Sequence, residues 1–231
     1  SDDYYITGSA MRKGKLYLSQ NGQYLAGKDL PIDIEKEELA PLFFDADNDG
    51  DDDLYIGCGS NEFSKDNPRL KDIFLINDNG KFTDASHLLP NPNINTACVK
   101  ASDFDQDGDI DLFVGGRFVT AEFPKPEQSF LLVNESQNGN IKFRLDANIF
   151  AYKVGMVSDA LFTDFDGDGW QDLIVVGEWF ELTFYKNNNG KLMHWTDHGL
   201  TATSGFWNSI NGADLDNDGD TDYVLGNYGT N

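Results

Sequence analysis

Basic residues are scarce in this 231-residue chain: 17 Lys and Arg stand against 40 Asp and Glu, for a net charge of -23. Nucleic acid and anionic membrane surfaces need a cationic footprint, and scattered bases in an acidic background do not supply one, so both are excluded as partners. Histidine is rarer still, with 3 residues. His194 and His198 lie on either side of Asp197 with no third donor nearby, so they read as residues of a surface strand rather than ligands of a transition metal. The 2 cysteines, Cys58 and Cys98, sit in apolar, strand-like segments. They read as small buried hydrophobes or as one disulfide between repeats, and they leave the redox compartment open. No apolar run approaches the roughly 18 residues of a membrane helix, so direct membrane insertion is not expected. The chain starts without Met and without a visible leader, and is expected to be processed or excised from a longer one. Helical periodicity is missing as well: only the acidic connector from Ile32 to Leu42 has room for a short helix. Ser, His and Asp fall into no nucleophile-elbow or triad spacing, so no catalytic residues are assigned and an enzyme is not expected.

Half of the acids that are present fall within four short segments of one pattern, Asp-x-Asp-x-Asp-Gly-x-x-Asp: Asp45 to Asp53, Asp103 to Asp111, Asp164 to Asp172 and Asp214 to Asp222. Carboxylates at positions 1, 3, 5 and 9 surround one point, and the glycine at position 6 permits the sharp turn that gathers them. Hard oxygen donors in a flexible loop suit Ca²⁺ better than Mg²⁺, which demands tighter octahedral geometry. An EF-hand loop would end in a bidentate Glu at position 12 and lead into a helix. Here position 12 is Ile56, Val114, Val175 or Leu225. Positions 10 to 12 are apolar and β-prone in every copy, as in strands covered on both faces, so each loop feeds a strand. The expected cofactor is Ca²⁺, up to four ions, in repeats spanning residues 45–57, 103–115, 164–177 and 214–226. Four ions would offset about a third of the net charge; without them the clustered carboxylates repel one another and loosen the fold.

The loops recur at intervals of roughly fifty to sixty residues, a spacing that belongs to propellers, solenoids and arrays. Between them a second motif repeats, a strand, an Asn/Gly turn and another strand: Leu16 to Ala26, Ile73 to Asp84, Phe130 to Asp146 and Leu182 to Asp197. Asn-Gly between β-rich runs is a strong hairpin signal. A strand entering each loop, a strand leaving it and a hairpin make four antiparallel strands, one propeller blade. The expected fold is all-β, residues 1–231 forming about four such blades. Asp3-Tyr4-Tyr5-Ile6 resembles the tail of a metal repeat, so the chain begins and ends at one phase of the blade.

These segments resemble the FG-GAP/VCBS-repeat β-propellers, related to the integrin α-subunit head and to bacterial surface proteins that carry an ASPIC/UnbV domain. The resemblance rests on DFDQDGDIDLFVGG from Asp103, DFDGDGWQDLIVVGEW from Asp164, the hairpin IFLINDNGKFTD and GFWNSINGADLDNDGDTDYVLGN from Gly205. It implies side-chain ligands from Asp45, Asp47, Asp49 and Asp53; Asp103, Asp105, Asp107 and Asp111; Asp164, Asp166, Asp168 and Asp172; and Asp214, Asp216, Asp218 and Asp222. It implies backbone carbonyl ligands from Asp51, Asp109, Trp170 and Asp220, and an indole at Trp170 supports that, since it has no metal-binding atom. Family propellers close with seven or eight blades, which leaves three arrangements: part of a larger ring, two paired copies, or a four-bladed ring. The face opposite the loops would gather Arg117, Phe118, Phe123, Trp179, Phe180, Phe206, Trp207 and Tyr228. Of these, Arg117, Trp179, Trp207 and Tyr228 are the candidate contacts for a protein or carbohydrate ligand. The implied function is a Ca²⁺-binding adhesion or scaffold module, secreted, periplasmic or on the outer cell surface. The alternative is the propeller part of a polysaccharide-active enzyme such as a lyase.

Overall fold

The computed structural model describes residues 3–90, 92–150 and 154–229. Among the described residues seventeen strands form four hydrogen-bonded antiparallel sheets, the last of which combines a four-stranded sheet with a two-stranded ribbon. The first sheet has β1 (Tyr4–Ile6), β2 (Lys15–Gln20) and β3 (Gln23–Ala26). The second has β4 (Glu38–Phe44), β5 (Asp53–Cys58), β6 (Ile73–Asp78) and β7 (Lys81–Asp84), and the third β8 (Thr96–Ser102), β9 (Asp111–Gly116), β10 (Phe130–Asn134) and β11 (Phe143–Asp146). The fourth has β12 (Met156–Thr163), β13 (Asp172–Phe180), β14 (Thr183–Asn187) and β15 (Leu192–Trp195). The chain ends in a ribbon of β16 (Gly205–Ala213) and β17 (Asp222–Asn227), hydrogen-bonded to the far end of β13. Three sheets are therefore complete blades, flanked by the outer three strands of one blade and the inner two of another.

The turn chemistry fixes the hairpins. Asn21, Asn79, Asn138 and Asn189 take φ between 51° and 52°, and each is followed by a glycine at φ 73° to 82°. Two left-handed residues in succession make the tight turn whose twist matches paired strands, and Asn-Gly adopts it at least cost. The connector at Ile32–Leu42 forms no helix; its second half is β4, because Glu38 to Phe44 pair residue for residue with β5 apart from one register shift.

Burial explains why the strands leaving the loops are apolar throughout. In β5, Leu54 and Ile56 enter the core shared with the first sheet while Tyr55 enters the core shared with the third. In β9, Leu112 and Val114 turn one way and Phe113 the other; in β13, Leu173 and Val175 oppose Ile174 and Val176. A strand with a neighbouring blade on each side needs an apolar residue at every position, not every second one. β17 has a neighbour on one side alone, and Val224 is 60% exposed, so the expectation of two covered faces fails there.

Among the described residues four buried clusters lie between successive sheets and the final ribbon, and none joins the first sheet to β16 and β17. Among the described residues the sheets thus follow one another with no core that closes the first on the last. At its start, Glu38 is buried and accepts hydrogen bonds from the Tyr5 hydroxyl at 2.6 Å and the amides of Gly8 and Gly14, fastening the first sheet to the second. Cys58 and Cys98 are buried and unbonded, as small core residues. Among the described residues no helix is long and apolar enough to cross a membrane.

Candidate metal loops and the opposite face

All four loops fold alike. The position 1 carboxylate receives backbone amides from across the turn: Asp45 those of Asp49 and Gly50, Asp103 those of Asp107 and Gly108, Asp164 those of Gly167, Asp168 and Gly169, and Asp214 those of Asn217, Asp218 and Gly219. Position 6 must be glycine because its φ lies between 88° and 98° in Gly50, Gly108, Gly169 and Gly219. The position 5 carboxylates of Asp49, Asp107, Asp168 and Asp218 accept the amides of Asp51, Asp109, Trp170 and Asp220. Asp51 and Asp109 each hold one carboxylate oxygen on a neighbour, the Asn79 amide and the Asn48 side chain.

Position 9 closes each loop as the first residue of the outgoing strand. Asp53 accepts from the amides of Ala46 and Asn77, Asp172 from those of Phe165 and Asn187, Asp111 from that of Asn134, and Asp222 from that of Leu215. Carboxylate oxygens of positions 1, 3 and 9 then lie within 4.8 Å of one another in the first three loops: Asp45, Asp47 and Asp53; Asp103, Asp105 and Asp111; Asp164, Asp166 and Asp172. In the fourth loop the group is Asp214, Asp216 and Asp218, positions 1, 3 and 5. No described cluster includes His194 or His198; His198 stacks against Phe184 instead.

This geometry could hold a cation. The Asp47 Oδ1, Asp105 Oδ1 and Asp111 Oδ2 atoms are buried and have no hydrogen-bond partner, which is costly for an ionised group. Burial pushes Asp53 and Asp172 up to about 6 and Asp111 up to about 8, and the neighbouring loop carboxylates add to the shift against the backbone amides that oppose it. Donors that are all oxygen, converge and lack a basic partner fit a hard divalent ion. The third loop alone has a base at hand: the Lys186 ammonium on β14 pairs with Asp166 and, at 3.4 Å, with Asp168.

The loops are also tied to one another. Asn134, fully buried, donates to the carbonyls of Ala46 in the first loop and Ile110 in the second; Asn187 does the same for Phe104 in the second and Gln171 in the third. At position 4, Asn48 reaches Asp109 at 2.6 Å and Gln106 reaches the Gly169 carbonyl at 2.8 Å. Sequence reasoning passed over these residues. Their one signal is an Asn recurring at the end of each third strand, at Asn77, Asn134 and Asn187.

The opposite face carries a row of aromatic rings. Phe118, Phe123, Trp179, Phe206 and Tyr228 follow one another with centroids 5.4, 6.0, 5.6 and 5.8 Å apart. Trp179 is 58% exposed and takes a left-handed φ of 60° where β13 bulges against β16. A bulge re-aims a side chain: Phe180 turns in against Gly155 and Gly177, and Trp179 turns out. Arg117 lies at the edge, bonded to the buried Glu178 at 2.7 Å and stacked over Phe118. Of the four candidate contacts, Arg117, Trp179 and Tyr228 share this face. Trp207 points the other way, half-buried against the core of β13 and β14, with its indole N–H on the Thr203 carbonyl; Phe206 takes its place in the row.

The FG-GAP-like repeat family matches residues 45–114 and 164–225, more than half of the chain. The chain belongs to this family. The matched segments contain all four loops. Among solved structures, the Bacillus licheniformis rhamnogalacturonan lyase PL11 is similar with a TM-score of 0.49 and 14% identity, over 91% of this chain and 47% of that one. The rhamnogalacturonan lyase YesW is similar with a TM-score of 0.47 and 17% identity, over 95% and 49%. The chain spans about half the length of each. No curated protein matches the sequence.

Proposed function

We propose that this FG-GAP-repeat chain is a Ca²⁺-binding module of a secreted, periplasmic or outer-surface protein, and that it holds a protein or glycan ligand on the face opposite its metal loops. The observation that carries the reading is the set of buried, unpartnered carboxylate oxygens at the centre of the loops. Bound Ca²⁺ supplies positive charge that links the two strands of each blade flanking a loop. The ions thereby hold the blade ends that set the spacing of the opposite face. There, Trp179 is displayed in a backbone conformation that costs roughly 1–3 kcal/mol, and such strain is retained where a residue's placement matters. Ligand binding rather than catalysis fits Arg117, whose charge is already held by Glu178. The uncovered end sheets are suited to further blades or a second copy of the chain.

Two measurements test this. Calorimetric titration with Ca²⁺ is expected to show uptake that EGTA reverses. Screening the protein against a glycan array and a panel of extracellular proteins is expected to yield a ligand whose binding falls at least tenfold in Trp179→Ala, with the melting temperature unchanged. A ligand that binds Trp179→Ala as well as the wild type would place recognition elsewhere.

A further inference from the structure

The third loop differs from the other three in two ways and from the first two in one more. It has the fewest acids, with Trp170 at position 7 where the others have Asp51, Asp109 and Asp220. Its position 4 is Gly167, which has no side chain to reach the next loop as Asn48 and Gln106 do. Finally, a lysine stands beside it. The residue before the strand-ending Asn is Ile76 in β6 and Val133 in β10, but Lys186 in β14, and its ammonium sits on Asp166 and Asp168, the acids of positions 3 and 5.

From this we infer that Lys186 is an internal counter-ion that sets the cation affinity of the third loop, making it the weakest of the four Ca²⁺ sites. The inference rests on the reading of the loops as Ca²⁺ sites. An entering ion must displace the ammonium from two of the four carboxylates the loop offers. Once displaced, the ammonium remains nearby on its stem and repels the ion. The stem is 38% exposed, so the ammonium has water to swing into and the site stays open to exchange. The missing acid at position 7 acts in the same direction through the charge around the loop, the four donor carboxylates being the same in number in every loop. Three sites would fill at low Ca²⁺ and tie the sheets together, while the third would respond to changes in Ca²⁺ well above that level.

Trp170 makes the third loop separately readable, since it is the one tryptophan within any of the loops. It can sensitise the luminescence of Tb³⁺ bound there. The full chain, Lys186→Met and Lys186→Gln would be titrated with Tb³⁺ and back-titrated with Ca²⁺ under tryptophan excitation, with total Ca²⁺ uptake followed by calorimetry. In the wild type, the tryptophan-sensitised site should be the weakest calorimetric step. Both neutral variants should bind Ca²⁺ there about tenfold tighter or more, the other steps staying put, and Lys186→Arg should resemble the wild type. Unchanged third-loop affinity in both neutral variants, each melting like the wild type without metal, overturns the inference and leaves the Ca²⁺ reading standing. No cation uptake by the wild type overturns both.

Discussion

Asp111 condenses the argument for a cation into one side chain. It is fully buried; one carboxylate oxygen accepts the Asn134 amide at 2.7 Å, and the other has no partner. Its pKa, pushed to about 8 by burial, lies far above the value of an unfolded chain. A raised folded-state value means that its contribution to stability is complete below the unfolded pKa and disappears as pH rises through about 8. The metal-free protein should therefore melt at progressively lower temperature as the pH is raised from about 4 to about 8, while the Ca²⁺-loaded protein should not, because the ion would hold the ionised form. Asp111→Asn mimics the protonated acid. It should melt within a few degrees of the wild type without metal and lose one Ca²⁺, about 2.7 kcal/mol of stabilisation at a hundred times the dissociation constant. Melting curves in EGTA and in Ca²⁺ at each pH check both statements. Acids such as this one were legible in the sequence because their spacing is itself the turn geometry. The phase of Trp207 was not, because the bulge at Trp179 and the pairing of β16 decide which of two adjacent aromatics faces solvent.

Among the elements, hairpins and outgoing strands followed from the sequence directly: Asn-Gly dictates the turn, and an unbroken apolar run dictates cover on both sides. β4 was harder to see, since Glu38 and Pro41 interrupt its pattern and its pairing is settled only by β5. The Asn clamps were invisible for another reason. Their partners, Ala46 for Asn134 and Phe104 for Asn187, come from the preceding repeat and are adjacent only once the blades stack. These clamps make a prediction at this scale. Asn187→Ala strips hydrogen bonds from two backbone carbonyls on adjacent blades and should cost about 2–3 kcal/mol. Asn77→Ala frees one carbonyl, that of the more exposed Asp52, beside a turn amide that both variants free, and should cost less. Urea unfolding of the two variants in saturating Ca²⁺ measures the difference, and equal costs would show that the bridge between blades adds nothing.

For the molecule as a whole, successive sheets joined by four cores carry metal loops that sit side by side, linked through Asn48, Gln106, Asn134 and Asn187. Half of the 40 acids are concentrated in four turns, so cations bound there would relieve much of the self-repulsion behind the net charge of -23. An ordinary domain is stable by about 5–15 kcal/mol, and several sites contributing about 2.7 kcal/mol each would supply much of that. The most direct test is the thermal melt of the intact chain in excess Ca²⁺ and again in EGTA, with metal removal verified by elemental analysis. A fall of many degrees on chelation, restored by adding Ca²⁺ back, is the expected result; an identical melt with and without metal would contradict the claim that the loops are cation sites on which the fold depends.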